Sequence, residues 1–176
     1  VLVVAAVVLP RAMAGDRSPG ELAVKAAFVL NFVRLVNWSA LPGFERSVDL
    51  PVCAVANSEF AEVVRRTMEG KSVGGRPISF KVTSNPDETQ CRVLVFDAAQ
   101  YPGAKYVIDR LKTAPVLTIG NGPGLTRLGG MFDLVLEERN VVFDANADAI
   151  RLSGLEVSAR LLQLCRNLRR GRNSGN

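Results

Sequence analysis

The chain has 176 residues, 48% of them hydrophobic and 22% charged, with a formal net charge of +5; this length suits one domain, and the apolar share excludes a disordered chain. It contains no histidine, which excludes Ser-His-Asp and Cys-His catalysis, histidine-based zinc sites and the usual general base near neutral pH. Part of the positive excess is local, because Arg166, Arg169, Arg170 and Arg172 crowd the C-terminal end. There they either complement a helix macrodipole and solvate the tail or attract anionic headgroups, and nucleic acid is not expected as a partner.

Val1 to Leu9 is an unbroken apolar run ended by Pro10 and Arg11, and Ala12-Met13-Ala14 before Gly15 has the small-x-small form that signal peptidase cleaves after. Residues 1–14 are read as the remnant of an export signal and 15–176 as the folded unit. An uncleaved anchor is the alternative, since a spanning helix needs about 20 apolar residues. Ser18-Pro19-Gly20-Glu21 is a capping box with proline at the first helical position. The helix it predicts runs from Leu22 to Trp38 and is apolar almost all round, interrupted by Lys25, Asn31, Arg34 and Asn37. Such a helix is buried on more than one side, either in the core or against a second copy or another protein. Phe28, Phe32 and Trp38 are its candidate dimer or partner residues.

From Leu50 onward strand-like and helical runs alternate, the pattern of an α/β fold. Strands are predicted at Leu50 to Val55, Ile78 to Val82, Val93 to Phe96 and Val116 to Ile119, with helices from Ser58 to Glu69, closed by Gly70, and from Ala104 to Lys112. Met131 to Glu137 and Val141 to Ala145, separated by Glu138-Arg139-Asn140, suggest a hairpin and an antiparallel edge. Asp148 to Leu152, a break at Gly154 and a long helix from Val157 to Leu168 complete the chain. The expected architecture is a single three-layer α/β domain with a mixed, mostly parallel sheet of about five to six strands flanked by helices.

Three cysteines in an exported chain invite pairing. Cys53 and Cys91 are the favoured pair, because each sits at a strand and parallel neighbours in one sheet could bring their sulfurs within bonding reach. Cys165 lies in an apolar helical run, where a buried free thiol is the default and a reactive or intermolecular thiol the alternative.

Carboxylates are the remaining candidates for chemistry. Glu137 and Glu138 are adjacent, so they point to opposite faces and read as a solvated turn. Asp97 follows the third predicted strand, where open α/β sheets place ligands, but it could equally cap the following loop. Gly120-Asn121-Gly122-Pro123-Gly124 matches no phosphate-binding pattern, and Pro123 lacks a backbone donor, so a flexible turn is expected. Arg127 with Gly129-Gly130-Met131 is the most suggestive cluster: two glycines before a strand permit close backbone approach or a bulge, and the guanidinium could hold an acidic ligand or partner. No catalytic residue, metal site or cofactor is assigned. A small-ligand sensor using a crevice near Asp97, Gly120 and Arg127 is one functional reading.

A second reading comes from resemblance. Glu21 to Phe28 through Trp38, the strand holding Cys53, Gly70-Lys71 with Gly75-Arg76-Pro77-Ile78, the strand opened by Cys91, Val116-Leu117-Thr118, Gly129-Gly130-Met131, and Gly154-Leu155-Glu156-Val157-Ser158 before Leu161-Leu162 together resemble the YfiR-like family of bacterial periplasmic proteins. The resemblance implies a non-catalytic periplasmic regulator that binds the periplasmic sensing region of an inner-membrane diguanylate cyclase and represses it. An outer-membrane-associated lipoprotein would sequester the repressor and release cyclic di-GMP synthesis. It also implies a homodimer and a disulfide at Cys53 and Cys91. A second cysteine pair, found in some members near the glycine loop before the fifth strand, has no counterpart here.

Overall fold

The computed structural model describes residues 19–170 apart from Glu88; the export signal, the Ser18 cap and Arg172 lie outside the described residues. Helix α1, Pro19–Arg34, carries Leu22, Ala26, Val29 and Val33 at helical spacing, all shut off from solvent, as a helix burying an apolar face must. It ends at Arg34, short of the expected Trp38, because a distant segment takes over the next residues. Val36 bridges Val157 antiparallel, the Asn37 amide donates to Glu156 O at 2.9 Å, and the Ser158 amide donates to Leu35 O at 3.0 Å. Trp38 sits in a 3-10 turn, Trp38–Ala40, and its indole N–H donates to Val33 O at 2.7 Å. That bond satisfies a carbonyl the helix end leaves open.

Strand β1, Leu50–Ala54, leads to α2, Glu59–Met68, whose N-cap Ser58 accepts from the Ala61 amide at 3.1 Å. Gly70, with φ +66°, turns the chain into β2, Ser72–Val73, and β3, Arg76–Val82. Gly74 and Gly75 join these two strands at φ +58° and +75°, the pair of left-handed residues a tight two-residue hairpin requires. Then follow β4, Val93–Asp97, α3, Tyr101–Leu111, β5, Leu117–Asn121, β6, Phe132–Glu137, and β7, Asn140–Asn146. The β6–β7 hairpin forms where it was expected. Helix α4, Ala147–Ser153, is N-capped by Asn146 and closed by Gly154.

The C-terminal segment departs from expectation. In place of a long helix from Val157 to Leu168 there is a short helix α5, Ala159–Gln163, and a strand β8, Asn167–Arg169. The leucine run has helical spacing, but the open edge of β7 offers backbone partners that a continued helix could not use. Asp144, Ala145 and Asn146 pair with Asn167, Leu168 and Arg169, and the Arg166 amide donates to Phe143 O at 2.8 Å.

All strands join one sheet in the order β2-β3-β1-β4-β5-β6-β7-β8. The eight strands exceed the expected five or six by β2 and β8, both too short to show an alternating pattern. β3, β1, β4, β5 and β6 run parallel, β7 is antiparallel to β6, and β8 is parallel to β7. Alternate strand residues divide into two cores. Val52, Val93, Val95, Leu117 and Ile119 pack with α1 and α2, while Leu94, Phe96 and Leu125 pack with α3, giving the expected three layers. An aromatic cluster seats α1, with the Phe32 ring 4.7 Å from Phe132 and 4.9 Å from Phe143.

Cys53 and Cys91 form a disulfide with Cα atoms 5.8 Å apart, and both are buried on the α3 side of the sheet. It ties β1 to the segment entering β4 across a separation of 38 residues. On the chain-entropy account, closing such a loop stabilises the fold by about 4 kcal/mol. Cys53→Ala/Cys91→Ala is therefore expected to lower the urea midpoint strongly, and dithiothreitol to do the same to the wild type. Equal midpoints for oxidised and reduced protein would contradict this role.

Candidate functional site

In a sheet of order 3-1-4-5 the chain reverses its winding between β1 and β4, and open α/β sheets bind ligands beyond the carboxyl ends of the strands at that point. Next to that point, the carboxyl ends of β4 and β5 are tied together by buried polar side chains. Lys25 from α1, only 3% exposed, donates to Asn121 Oδ1 at 2.9 Å and pairs with Glu21 one turn earlier at 2.6 Å. Asn121, fully buried at the end of β5, donates to Asp97 Oδ1 at 3.1 Å. Asp97 also accepts from the Ala98 amide at 3.0 Å and closes a capping box with Gln100. Glu21, Lys25, Asn121 and Asp97 thus form a continuous polar chain from α1 to β5 and β4. It ties α1 to the ends of both strands. Lys25 was legible as an interruption of an apolar helix, and its place on the Leu22–Ala26–Val29 stripe was the unread sign of burial.

The glycine run expected to be a flexible turn begins inside β5, at Gly120 and Asn121, and is closely packed. A Cβ on Gly120 would stand 2.3 Å from Tyr101 Oη and 2.9 Å from Leu125 Cβ, and the Tyr101 hydroxyl donates to Gly122 O at 2.7 Å. Asp133, buried in β6, gathers the loop from beneath. It accepts from the Gly124 amide at 2.9 Å, the Thr126 amide at 3.2 Å and the Thr126 hydroxyl at 2.7 Å. Burial raises the Asp133 carboxyl above its ordinary value, and these donors oppose the rise. Gly130 shows the close backbone approach its sequence suggested: a Cβ there would meet Leu125 Cγ at 2.5 Å. Met131 enters the core, and its amide donates to Thr118 Oγ1 at 2.9 Å. Gly129 ends the 3-10 turn Leu125–Leu128 in a left-handed conformation. Of this cluster only Arg127 turns its side chain to solvent. Asp97 lies at the carboxyl end of β4 and Gly130 before the amino end of parallel β6, so the two are at opposite ends of the strands.

The C-terminal arginines have a different setting from the one expected of a helix end. Arg166 binds Asp144 at 2.7 Å and Glu137 at 3.1 Å, and Asn167 donates to Asp144 at 3.0 Å. Burial alone would raise the Asp144 carboxyl, but the hydrogen bonds from Arg166 and Asn167 hold it below its ordinary value. Glu137 is therefore an ion-pair partner, whereas Glu138 occupies the hairpin turn at φ +55°. Cys165 is a free, half-buried thiol against the core, raised chiefly by burial. Among the described residues no group of three potential ligands could hold a metal ion, and no helix is long and apolar enough to cross a membrane.

A family model described as YfiR/HmsC-like matches residues 22–166. The chain belongs to the YfiR/HmsC-like family. The matched span of this YfiR/HmsC-like chain runs from α1 to Arg166, and so includes the disulfide and the Arg166 ion pairs. Two of the three residues expected at a dimer or partner surface face inward instead: Phe32 and Trp38 are buried, and Phe28 is half-buried against Phe32 and Phe143. The physical reason is the sheet, whose inner face α1 must cover. Val24 on α1 and Leu35 just beyond its end are exposed apolar side chains.

Two consequences can be measured. Gly120→Ala has no room for its methyl and is expected to destabilise by about 1–3 kcal/mol, read as a lower urea midpoint; an unchanged midpoint would mean that the loop relaxes freely. The depressed Asp144 carboxyl contributes stability that is present above the unfolded value of about 3.9 and lost as the pH falls through the folded one. Asp133, being raised, works in the opposite sense. Asp144→Asn should therefore shrink the difference in urea midpoint between pH 7 and pH 3, and an unaltered pH dependence would dismiss the ion pair as a source of stability.

Proposed function

We propose that this protein is a non-catalytic periplasmic regulator that binds the periplasmic sensing region of an inner-membrane diguanylate cyclase and represses it, lowering cyclic di-GMP. The observation that carries the reading is the YfiR/HmsC-like match over residues 22–166. The buried Cys53–Cys91 disulfide supports an oxidising compartment. The protein acts as a homodimer, and a lipoprotein of the outer membrane sequesters it. Repression of this kind needs no reacting groups, only a face whose affinity differs between the two states of the cyclase. Arg127, solvent-facing on a loop fixed from beneath by Asp133, is the anchor assigned to that face, and Val24, Leu35 and Leu164 are exposed apolar groups available to the partner or the second copy.

The test captures partners of the disulfide-intact protein from native envelope extract and, in parallel, measures cyclic di-GMP in cells that overproduce it. A retained membrane protein with a cytoplasmic GGDEF-type domain, together with a fall in cyclic di-GMP, is the expected result. Unchanged cyclic di-GMP with no such protein retained would overturn the reading. Arg127→Ala is expected to weaken capture and repression without moving the melting temperature, truncation of an arginine anchor costing about 1–4 kcal/mol of binding. Full repression by that variant would remove Arg127 from the contact face.

A further inference from the structure

Where α3, α4 and β8 meet, the surface carries an open groove of about 220 Å³. Its floor is apolar, formed by Ile108, Ala149 and Leu152, and Leu152 leaves 49% of its surface in water. Its charged lining has three cations, Lys112 from the end of α3 and Arg169 and Arg170 from β8 and its exit, all exposed, and two acids, Asp109 and Asp148. None of the three cations has an acidic partner among the described residues. The acids nearest them are already engaged, Asp109 with Lys105 and Asp148 with Arg151. The backbone places these cations firmly. Arg169 pairs with Asn146 in the sheet, and Asn146 in turn caps α4 and donates to Thr126 O at 3.0 Å.

Single cations without an acidic partner among the described residues also occur elsewhere, as at Arg34, Lys71 and Arg139, whereas Arg65 and Arg166 are paired; what distinguishes the groove is that three such cations surround one apolar floor. Three clustered cations without counter-ions, beside a half-exposed leucine, are suited to an anion that arrives with an apolar body. Guanidinium groups match phosphate oxygens in geometry, and an aliphatic floor accepts a hydrocarbon chain.

We propose that this groove binds the phosphate diester of an anionic phospholipid at a bilayer surface, with Leu152 entering the interfacial layer. The groove borders the Arg127 region, since Gly129 of the same turn lines it and Arg169 shares a second pocket with Arg127, but its lipid ligand does not depend on the cyclase-binding reading.

The test is co-sedimentation of the oxidised protein with vesicles of phosphatidylglycerol and phosphatidylcholine, against phosphatidylcholine alone. Binding to the first and not the second is expected, weakening as salt is raised. Each basic side chain near such a surface is worth about fivefold in partitioning, so Arg169→Ala/Arg170→Ala should lose roughly 25-fold at an unchanged melting temperature. Lys112→Ala, at the end of a helix, should lose about fivefold and gives the same reading if the double variant fails to fold. Equal sedimentation with both vesicle types, or binding indifferent to these substitutions, would overturn the proposal. So would stabilisation by inorganic phosphate without vesicle binding, which would make the groove a site for free phosphate.

Discussion

The structure depends on how α1 is held against the sheet. An apolar helix over an apolar surface has little to stop it sliding, since burial is non-directional. Lys25 supplies the missing direction. Its ammonium group is sealed between Glu21 and Asn121, and a slip of one helical turn, about 5.4 Å, would leave a charge and an amide buried without partners. Breaking a buried pair in this way costs about 3–5 kcal/mol, comparable to the disulfide and a large share of a domain's net stability. The aromatic contacts of Phe32 with Phe132 and Phe143 then complete a position already selected by the polar contact. Because Asn121 also holds Asp97, the same tie orders and closes off the carboxyl ends of β4 and β5.

That closure explains which parts were readable in the sequence. Helix α2 carries its own signals, with Ser58 before it and Gly70 after it, and the β6–β7 hairpin shows alternation on both sides of a short gap. Their information is local. The end of α1 is set instead by residues 156–158, so the apolar run through Leu35, Val36 and Trp38 looked like more helix. At the C-terminus the error was of the same kind: Leu161, Leu162 and Leu164 have helical spacing, and only the open edge of β7 makes a strand of Asn167 to Arg169. Gly130 and the Cys53–Cys91 pair were legible because close approach and strand adjacency follow from residue type and order. The burial of Lys25 and the pairing of Asp144 were not, because Asn121 and Arg166 lie 96 and 22 residues away and a polar residue in an element reads by default as solvated.

The two sides of the sheet are finished differently. One is covered by α1 and α2 along most of its width. On the other, α3 and the loop gathered by Asp133 cover β4 to β6, and the sheet beyond is bordered by the Arg166 ion pairs and the cationic end of β8. The residues that fix the fold, Lys25, Asn121, Asp133 and the disulfide, are buried, whereas Arg127 projects from a turn that Asp133 holds and Leu152 and Arg169 from α4 and β8, which the Asn146 cap and the pairing with β7 hold. Recognition groups on a rigid base lose little conformational entropy on binding, which is what a protein acting by association alone requires.

For the proposed regulator the demand on such a surface can be bounded. Moving a two-state partner from almost wholly active to almost wholly inactive takes a differential affinity of about 10⁴, or about 5.5 kcal/mol. A small group of anchors can reach that value, but only if the regulator is near its partner often enough for the difference to be expressed. Weak adhesion to the same membrane would meet that need without any further contact, since confining both partners to one surface raises their effective concentration. A lipid contact at Lys112, Arg169 and Arg170 would then set occupancy, while a protein contact at Arg127 would set discrimination between the two states. The two terms sit on different elements, the 3-10 turn that carries Arg127 being fixed by Asp133 and β8 by its pairing with β7, but Arg127 and Arg169 share a pocket, so Lys112 is the position that separates them. A variant that loses one can keep the other, and repression that survives loss of membrane adhesion at high protein concentration but fails at low concentration is the behaviour this division of roles requires.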